Sequence, residues 1–137
     1  MSDTADRSGM EILQDMSQGN YPGPTISQII PMRIVLIEPG HVQFWAKAGC
    51  QHLNPLGGVH GGFAATVLDS ATGCAVHSML EAGVGYATID LAIKMLKPVP
   101  KDEDLLADGK LIHLSTRLGV SEGTLKDGQG RILAYAT

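Results

Sequence analysis

One short segment of the chain gathers most of the residue types that could carry out chemistry. Asn54 is followed six residues later by His60, Gly61 and Gly62, and Asp69 comes nine residues after His60 in a stretch of small apolar residues. A His-Gly-Gly sequence that opens a helix offers backbone N–H groups to whatever lies before the helix, where the helix dipole favours negative charge. The segment therefore predicts a site that accommodates a developing oxyanion near a carboxylate.

Each of these side chains also has a structural interpretation. Asn54 could shape a turn, and His60 could be a hydrogen-bonded core residue. Asp69 is harder to explain in this way, because an unpaired acid on an apolar helix lowers stability unless something pairs with it or uses it. Pairing with Lys94 or Lys97 is the structural alternative for this carboxylate.

The order of predicted elements indicates an α+β domain with one helix packed on one strongly curved antiparallel sheet. We assign residues 1–28 to an N-terminal tail with a short helix, and residues 29–137 to a single domain. Hydrophobic periodicity and turn residues predict no structure for residues 1–9, a helix over 10–16, strands over 29–37 and 41–48, a helix over 61–80, and strands over 86–97, 104–116, 118–126 and 132–137.

The long predicted helix is apolar in nearly every direction, which predicts burial on all sides. Placing its residues at 100° intervals leaves one stripe of small and polar residues, where another backbone or a thin ligand could come close. This stripe holds Gly62, Thr66, Asp69 and Gly73, with Ser70 and His77 at its edge. We take Gly62, Thr66, Ser70 and Gly73 as candidate substrate-binding residues.

The composition is that of an ordinary globular protein and argues against several functions. The 137 residues suffice for one domain, with 44% hydrophobic and 18% charged residues. Ten Lys and Arg against fourteen Asp and Glu give a net charge of −4 without a basic run, so we expect no nucleic-acid partner. No apolar run reaches the ~20 residues of a membrane span, and the first residues are polar and acidic, so we expect neither a membrane anchor nor a signal peptide.

The cysteines and histidines point to no cofactor. Cys50 and Cys74 lack Cys-x-x-Cys spacing, so we expect two buried thiols in a reducing, cytoplasmic compartment. The five histidines include no His-x-x-x-His pair, and we expect no metal. The sequence also lacks a Gly-rich phosphate loop and a Gly-x-Ser-x-Gly elbow, which argues against nucleotide-dependent and serine-hydrolase chemistry.

Taken together, the motifs resemble those of the hotdog-fold acyl-CoA thioesterases, in particular the phenylacetate-degradation branch. The resemblance extends over residues 32–137. It includes the spacing from Asn54 to Asp69, the sequence Thr88-Ile89-Asp90-Leu91 after the helix, and a closing hairpin at 127–134. It implies a hotdog fold, in which the curved sheet wraps the long helix, and a homodimer whose subunits jointly build each active site. A tetramer made from two dimers is common in the family.

The resemblance also implies a role for each candidate catalytic residue. Asp69 would be the general base or nucleophile, and the Gly61 backbone N–H would polarise the thioester carbonyl. Asn54 and His60 would hold the carbonyl or the water, and Thr88 would help to position that water. The nine residues from His60 to Asp69 span roughly 13 Å of helix, too far for one thioester bond to touch both ends. We therefore expect Asp69 to work with the oxyanion donor of a second subunit.

The predicted function is hydrolysis of an aryl- or medium-chain acyl-CoA to the free acid and CoA. The acyl group would lie between Asn54, the helix stripe and the residues that follow Tyr21 and Pro22. A non-catalytic acyl-CoA-binding or sensing module and an acyl-thioester hydratase are the alternatives on this fold. The sequence leaves open the acyl group, the choice between dimer and tetramer, and which cations bind the CoA phosphates among Lys94, Lys97, Lys101, Arg117 and Lys126.

Overall fold

A single long helix lies against one face of a six-stranded antiparallel sheet. The computed structural model describes residues 4–137. Its helices are α1 (Gly9–Ser17) and α2 (Gly61–His77), and its strands are β1 (Met32–Glu38), β2 (His41–Lys47), β3 (Ile93–Met95), β4 (Asp104–Leu114), β5 (Gly119–Lys126) and β6 (Ile132–Ala136). The strand order is β1-β2-β4-β5-β6-β3, so that β1 and β3 form the two edges. The predicted α+β arrangement is confirmed.

Alternation along the strands buries one face of the sheet under α2. In β2, Val42, Phe44 and Ala46 are buried, while the residues between them are half-exposed. The helix also comes into backbone contact with the sheet: a Cβ atom at Gly109 of β4 would lie 2.1 Å from the Ala71 carbonyl oxygen. A glycine is therefore required there, and this close approach explains why α2 is buried on most sides.

Helix α1 begins at a capping box and packs beside the end of α2. The Ser8 hydroxyl accepts from the Glu11 N–H at 3.2 Å, and the Glu11 carboxylate accepts from the Ser8 N–H at 2.7 Å. The Gly9 N–H then donates to the Leu80 carbonyl at 3.0 Å, which ties the start of α1 to the chain just after α2. Ile12 and Leu13 are buried on the inner side of α1, so the N-terminal segment becomes one wall of the space above α2.

Most predicted elements are found within two residues of their bounds, with two corrections near the start of the domain. Strand β1 begins at Met32 rather than at residue 29. Thr25–Gln28 forms a 3-10 turn, and the N–H groups of Ile29 and Ile30 both donate to the Ile26 carbonyl, so these two residues belong to the turn. Residues 1–9 were expected to be unstructured, but Thr4–Asp6 forms a 3-10 turn and Gly9 begins α1. Residues 1–3 lie outside the described part of the chain.

The largest correction concerns the predicted strand over 86–97. Only Ile93–Met95 is strand, pairing with β6, and the hydrogen-bonded ladder ends where Ala92 bonds to Thr137. Residues 86–91 form no ladder hydrogen bonds with any strand in the described part of the chain. They lie instead along α2, with their outer side exposed.

Two smaller expectations were also wrong. Helix α2 ends at His77 rather than at residue 80. The N–H groups of Met79 and Leu80 donate to carbonyls three residues back instead of four, which is the 3-10 pattern common at helix ends. Cys50 is exposed in a 3-10 turn, whereas Cys74 is buried in α2 as expected. Within residues 4–137, no helix is both long and apolar enough to cross a bilayer.

Candidate active site

The Asp69 carboxylate is held by Thr88 at the middle of α2. The Thr88 hydroxyl donates to Asp69 Oδ1 at 2.8 Å, and Asp69 is half-buried. Neither Lys94 nor Lys97 forms an ion pair with Asp69 in the described part of the chain, so the pairing that would have explained this acid structurally is not made. The carboxylate therefore keeps oxygen lone pairs available to a water molecule or a substrate.

The start of α2 presents a free backbone donor. His60 is the N-cap residue, and its Nδ1 accepts from the Gly62 N–H at 2.8 Å, which places the proton of a neutral imidazole on Nε2. The exposed Gly61 N–H has no acceptor among residues 4–137. A free N–H at a helix N-terminus is the kind of group that stabilises a developing oxyanion.

Asn54 shapes the loop before α2. Its side-chain oxygen accepts from the N–H groups of Leu56 at 2.9 Å and Gly58 at 3.1 Å, while its backbone bonds close the same loop. Gly57 sits in this turn at φ +89°, a conformation that favours glycine. Asn54 therefore shapes the turn, as its sequence context suggested. Its side-chain NH₂ remains available to bind another group.

A largely apolar groove of about 960 Å³ extends from Asp69 along α2. Its walls come from the α1 segment, from β1 and β2, and from residues 83–86, which follow α2. Tyr21, Pro22 and Ser70 line it as expected, whereas Asn54, Gly62 and Thr66 do not. The Thr66 hydroxyl instead donates to the Gly62 carbonyl within the helix, at 2.9 Å.

Gly73, the fourth candidate binding residue, is buried beneath Tyr86 rather than open to a ligand. A Cβ atom at residue 73 would lie 2.8 Å from the Tyr86 hydroxyl oxygen. The Tyr86 ring also packs against His77, with 5.2 Å between ring centroids. The structure thus joins Thr88 to Asp69 and places Ser70 next to Asp69 in the groove wall. It places His60 with Gly61 and Gly62 at the helix start and gives Gly73 a packing role.

Three titratable groups in this part of the groove stay uncharged at neutral pH. Burial raises the pKa of the Cys74 thiol to about 12, with the nearby Asp69 charge as a smaller cause. Burial likewise raises the pKa of Tyr86 and lowers the pKa of His77. Cys74 is therefore an unreactive thiol and not a nucleophile.

Tyr86 and the neighbouring groove residues were missed by reasoning from the sequence. Tyr86 stands two residues before Thr88 in an extended segment, and residues i and i+2 share a face of extended chain. That spacing is a signal that could have placed Tyr86 against α2 once Thr88 was chosen. Among the described residues, no three His, Cys, Asp or Glu side chains are grouped so that they could hold a metal ion.

Comparison with known proteins places this geometry in a family. A family model described as "Thioesterase superfamily" matches residues 56–134, more than half of the chain. A Halobacterium salinarum protein, whose provisional name is that of an esterase, is 44% identical over 68 residues, which cover 48% of this chain. Those residues cover 44% of that protein, so the chain matches less than half the length of this curated relative.

Solved structures share the whole architecture. A phenylacetic acid degradation-related protein from Ralstonia eutropha is 25% identical, with a TM-score of 0.83 over 91% of this chain and 95% of that one. A Streptococcus mutans protein bound to acetyl-CoA is 28% identical, with a TM-score of 0.70 over 77% of this chain and 82% of that one. These matches confirm the predicted hotdog fold and the resemblance to the phenylacetate-degradation branch.

Proposed function

Because the chain belongs to the thioesterase superfamily, we propose that it hydrolyses an acyl-CoA thioester to the free acid and CoA. One observation carries the proposal: Asp69, on an otherwise apolar helix, is bonded by Thr88 at 2.8 Å and opens into the groove without a cationic partner among the described residues. The carboxylate borders a largely apolar groove, where its oxygens can reach a thioester carbon or an attacking water molecule. The Streptococcus mutans structure with acetyl-CoA supports CoA esters as the substrate class.

Each candidate residue has a defined task in this reaction. The Gly61 N–H would donate to the carbonyl oxygen as negative charge develops there, and Asp69 would either attack the carbonyl carbon or take a proton from the attacking water. Thr88 would hold the carboxylate in one orientation, and His60 Nε2–H and the Asn54 NH₂ could donate to the carbonyl or the water. In either route the C–S bond breaks and CoA leaves as the thiolate, which is then protonated. Direct attack also leaves the acyl group on Asp69 as an anhydride, which water then hydrolyses to release the free acid and restore the carboxylate.

A second copy of the chain completes the proposed site. Asp69 and the Gly61 N–H are separated by two turns of the same helix, yet both lie beside the segment that runs from residue 86 through β3. Among the described strands none lies beyond β3 in the sheet order, and Ile89, four residues before β3, is 84% exposed. Two copies meeting along this edge would bring Asp69 of one towards Gly61 of the other, so we propose a homodimer, with a dimer of dimers as a further possibility.

The same edge suggests where the CoA phosphates bind. Lys94 and Lys97 are exposed on either side of Met95, whose terminal methyl group lies beside Gly61. We propose these two lysines as the phosphate-binding cations, since Lys94 in β3 and Lys97, two residues after the strand, are exposed close in sequence to Met95. We also propose that the protein works in a reducing, cytoplasmic compartment, because Cys50 and Cys74 are both free thiols.

A thiol-release assay on a panel of acyl-CoA esters tests the function. Phenylacetyl-CoA, a benzoyl-CoA and hexanoyl-CoA would be compared with the natural chain, Asp69→Asn and Asp69→Ala. We expect both variants to lose turnover but to keep the dimer mass, measured by light scattering. Asp104→Asn is the matched control, because this carboxylate is 74% exposed at the sheet's other side and contacts Trp45 and Lys47 rather than the groove residues.

The outcomes separate the alternatives. Turnover that survives in Asp69→Asn would remove Asp69 from its proposed role. Binding of CoA esters without turnover in the natural chain would favour a non-catalytic binding module, and hydration of an enoyl-CoA would favour a hydratase. A single turnover in ¹⁸O-labelled water would distinguish direct attack by Asp69, which incorporates label into its carboxylate, from activation of water, which does not.

A further inference from the structure

The side chain of Tyr86 fills the space beside Asp69 on the surface of α2. Gly73 comes one helical turn after Asp69, and a Cβ atom there would lie 2.8 Å from the Tyr86 hydroxyl oxygen and 3.0 Å from a ring carbon. On the next turn, the Tyr86 ring packs against His77. Because both distances are shorter than normal contacts, glycine at position 73 is what allows the phenol ring to rest on the helix.

The same ring forms part of the groove wall. Asp69, Cys74 and His77 line the groove from α2, and Tyr86 lines it from the segment after the helix. The two arginines of the groove are already engaged elsewhere: Arg7 pairs with Asp15, and Arg33 stacks over the Trp45 ring. An uncharged wall next to Asp69 suits an apolar acyl group better than the phosphates of CoA.

We propose that Tyr86 is a specificity-determining residue that limits the bulk of the acyl group. The inference rests on the proposed function, because it assumes that the thioester carbon is held at Asp69. The groove runs from Asp69 past Cys74 and His77, and the Tyr86 ring, which rests on Gly73, forms the wall that an acyl group extending along it would meet. Removing the ring opens a space about as large as the ring itself, and a bulkier acyl group can enter it.

A pair of substrates that differ by one fused ring tests the proposal. The ratio of kcat/KM for naphthylacetyl-CoA to that for phenylacetyl-CoA would be measured in the natural chain, Tyr86→Phe and Tyr86→Ala. One methylene group in an apolar pocket changes discrimination by about 10–200-fold. We therefore expect Tyr86→Ala to raise the ratio by about tenfold or more, and Tyr86→Phe to leave it unchanged. A variant that is merely less stable would lower kcat/KM for both substrates by the same factor and leave their ratio unchanged.

Gly73→Ala provides an independent arm that does not depend on how well Tyr86→Ala folds. Its methyl group would displace the Tyr86 ring, so we expect the substrate ratio to change in the natural background. In the Tyr86→Ala background there is no ring to displace, and the same substitution should leave the ratio unchanged. Tyr135→Phe is the control for loss of a phenol hydroxyl, because Tyr135 bonds to Glu122 and does not line the groove.

Non-hydrolysable CoA thioethers of the two aryl groups separate this inference from the proposed function. If the natural chain hydrolyses phenylacetyl-CoA but Tyr86→Ala leaves the ratio unchanged, the role of Tyr86 is wrong and the function stands. If no ester is hydrolysed but the relative affinity for the two thioethers shifts by tenfold in Tyr86→Ala, the function is wrong and the role of Tyr86 in acyl binding stands. Unchanged ratios in both assays, for Tyr86→Ala and for Gly73→Ala, would overturn the inference.

Discussion

Replacing Gly61 by proline removes one backbone donor while leaving the helix in place. Gly61 is the first residue of α2, and its N–H has no acceptor within residues 4–137. Proline is favoured at the first helical position, because its fixed φ suits the helix and its missing N–H makes no helical bond there. The residue before a proline must be extended, and His60 already lies at φ −63° and ψ 137°. We therefore expect Gly61→Pro to fold normally.

The expected loss follows from what the donor does in the proposed reaction. Removing one oxyanion donor typically raises the barrier by about 2.7–4 kcal/mol, or roughly 10²–10³ in kcat. The helix dipole favours negative charge at this N–H, and in the proposed dimer the second copy would exclude water from it, so we place the loss within this range. KM should change much less than kcat, because the bond strengthens as charge develops on the oxygen.

Gly61→Ala is the matched control. A Cβ atom at position 61 would lie 3.3 Å from the Met95 methyl carbon, and both variants carry that atom. Only proline also removes the N–H, so the ratio of kcat between Gly61→Ala and Gly61→Pro isolates the donor. Thiol release gives kcat and KM, and circular dichroism with thermal melting checks the fold. Equal kcat values in two well-folded variants would refute the assignment of Gly61 as oxyanion donor.

Three further predictions follow from the contacts of the site and the surface. Thr88→Val should lower kcat by roughly tenfold, whereas Thr88→Ser should retain activity. A hydrogen bond to a charged group contributes ~1.5–3 kcal/mol, and the exposed position of Thr88 favours the lower end of that range. Equal kcat in the two variants would contradict the role of Thr88 in positioning Asp69. A thiol reagent should react with one cysteine of the native protein, the exposed Cys50, and with both cysteines after denaturation. Cys74 is buried and its pKa is raised to about 12, so its thiol reacts slowly in the native protein. Two fast-reacting thiols in the native protein would contradict the burial of Cys74. Burial alone would raise the pKa of Asp127, but the N–H donors of its turn hold it below the ordinary 3.8. This carboxylate therefore stabilises the fold above that value and stops doing so as pH falls through its folded pKa. Melting curves should show Asp127→Asn to be less stable than the natural chain at pH 7, with a difference that narrows below about pH 4; a difference independent of pH would exclude the charged form as its cause.

Local signals were enough to predict how α2 begins. His60 caps the helix and Gly61 starts it, as the His-Gly-Gly sequence indicated, because a capping interaction involves residues only two or three positions apart. The same holds for the antiparallel run from β4 to β6, whose turn residues are adjacent in sequence to the strands they connect. These features depend on short-range geometry, which a pattern of residue types encodes directly.

The failures came where a residue's environment depends on distant parts of the chain. An alternating pattern over 86–97 is typical of a strand, but a strand also needs a partner, and among the described residues only Ile93–Met95 pairs with β6 as a strand. Gly73 looked open on a helical wheel, yet Tyr86, thirteen positions later, covers it. Neither the pairing partner of an extended segment nor the covering of a glycine by a distant ring can be read from periodicity.

The segment that is not a strand in the isolated chain is also the one on which the chemistry depends. Its inner side contacts α2 through Tyr86 and Thr88, and its outer side exposes Ala87 and Ile89. A partner strand that pairs with the backbone N–H and C=O groups of this segment would fix its backbone without displacing its inner side chains, and would thereby hold Thr88 against Asp69. In the proposed dimer, the contact that supplies the distant oxyanion donor would therefore also hold the Asp69 carboxylate in place. Association of the subunits and the geometry of the site would then both depend on residues 86–91.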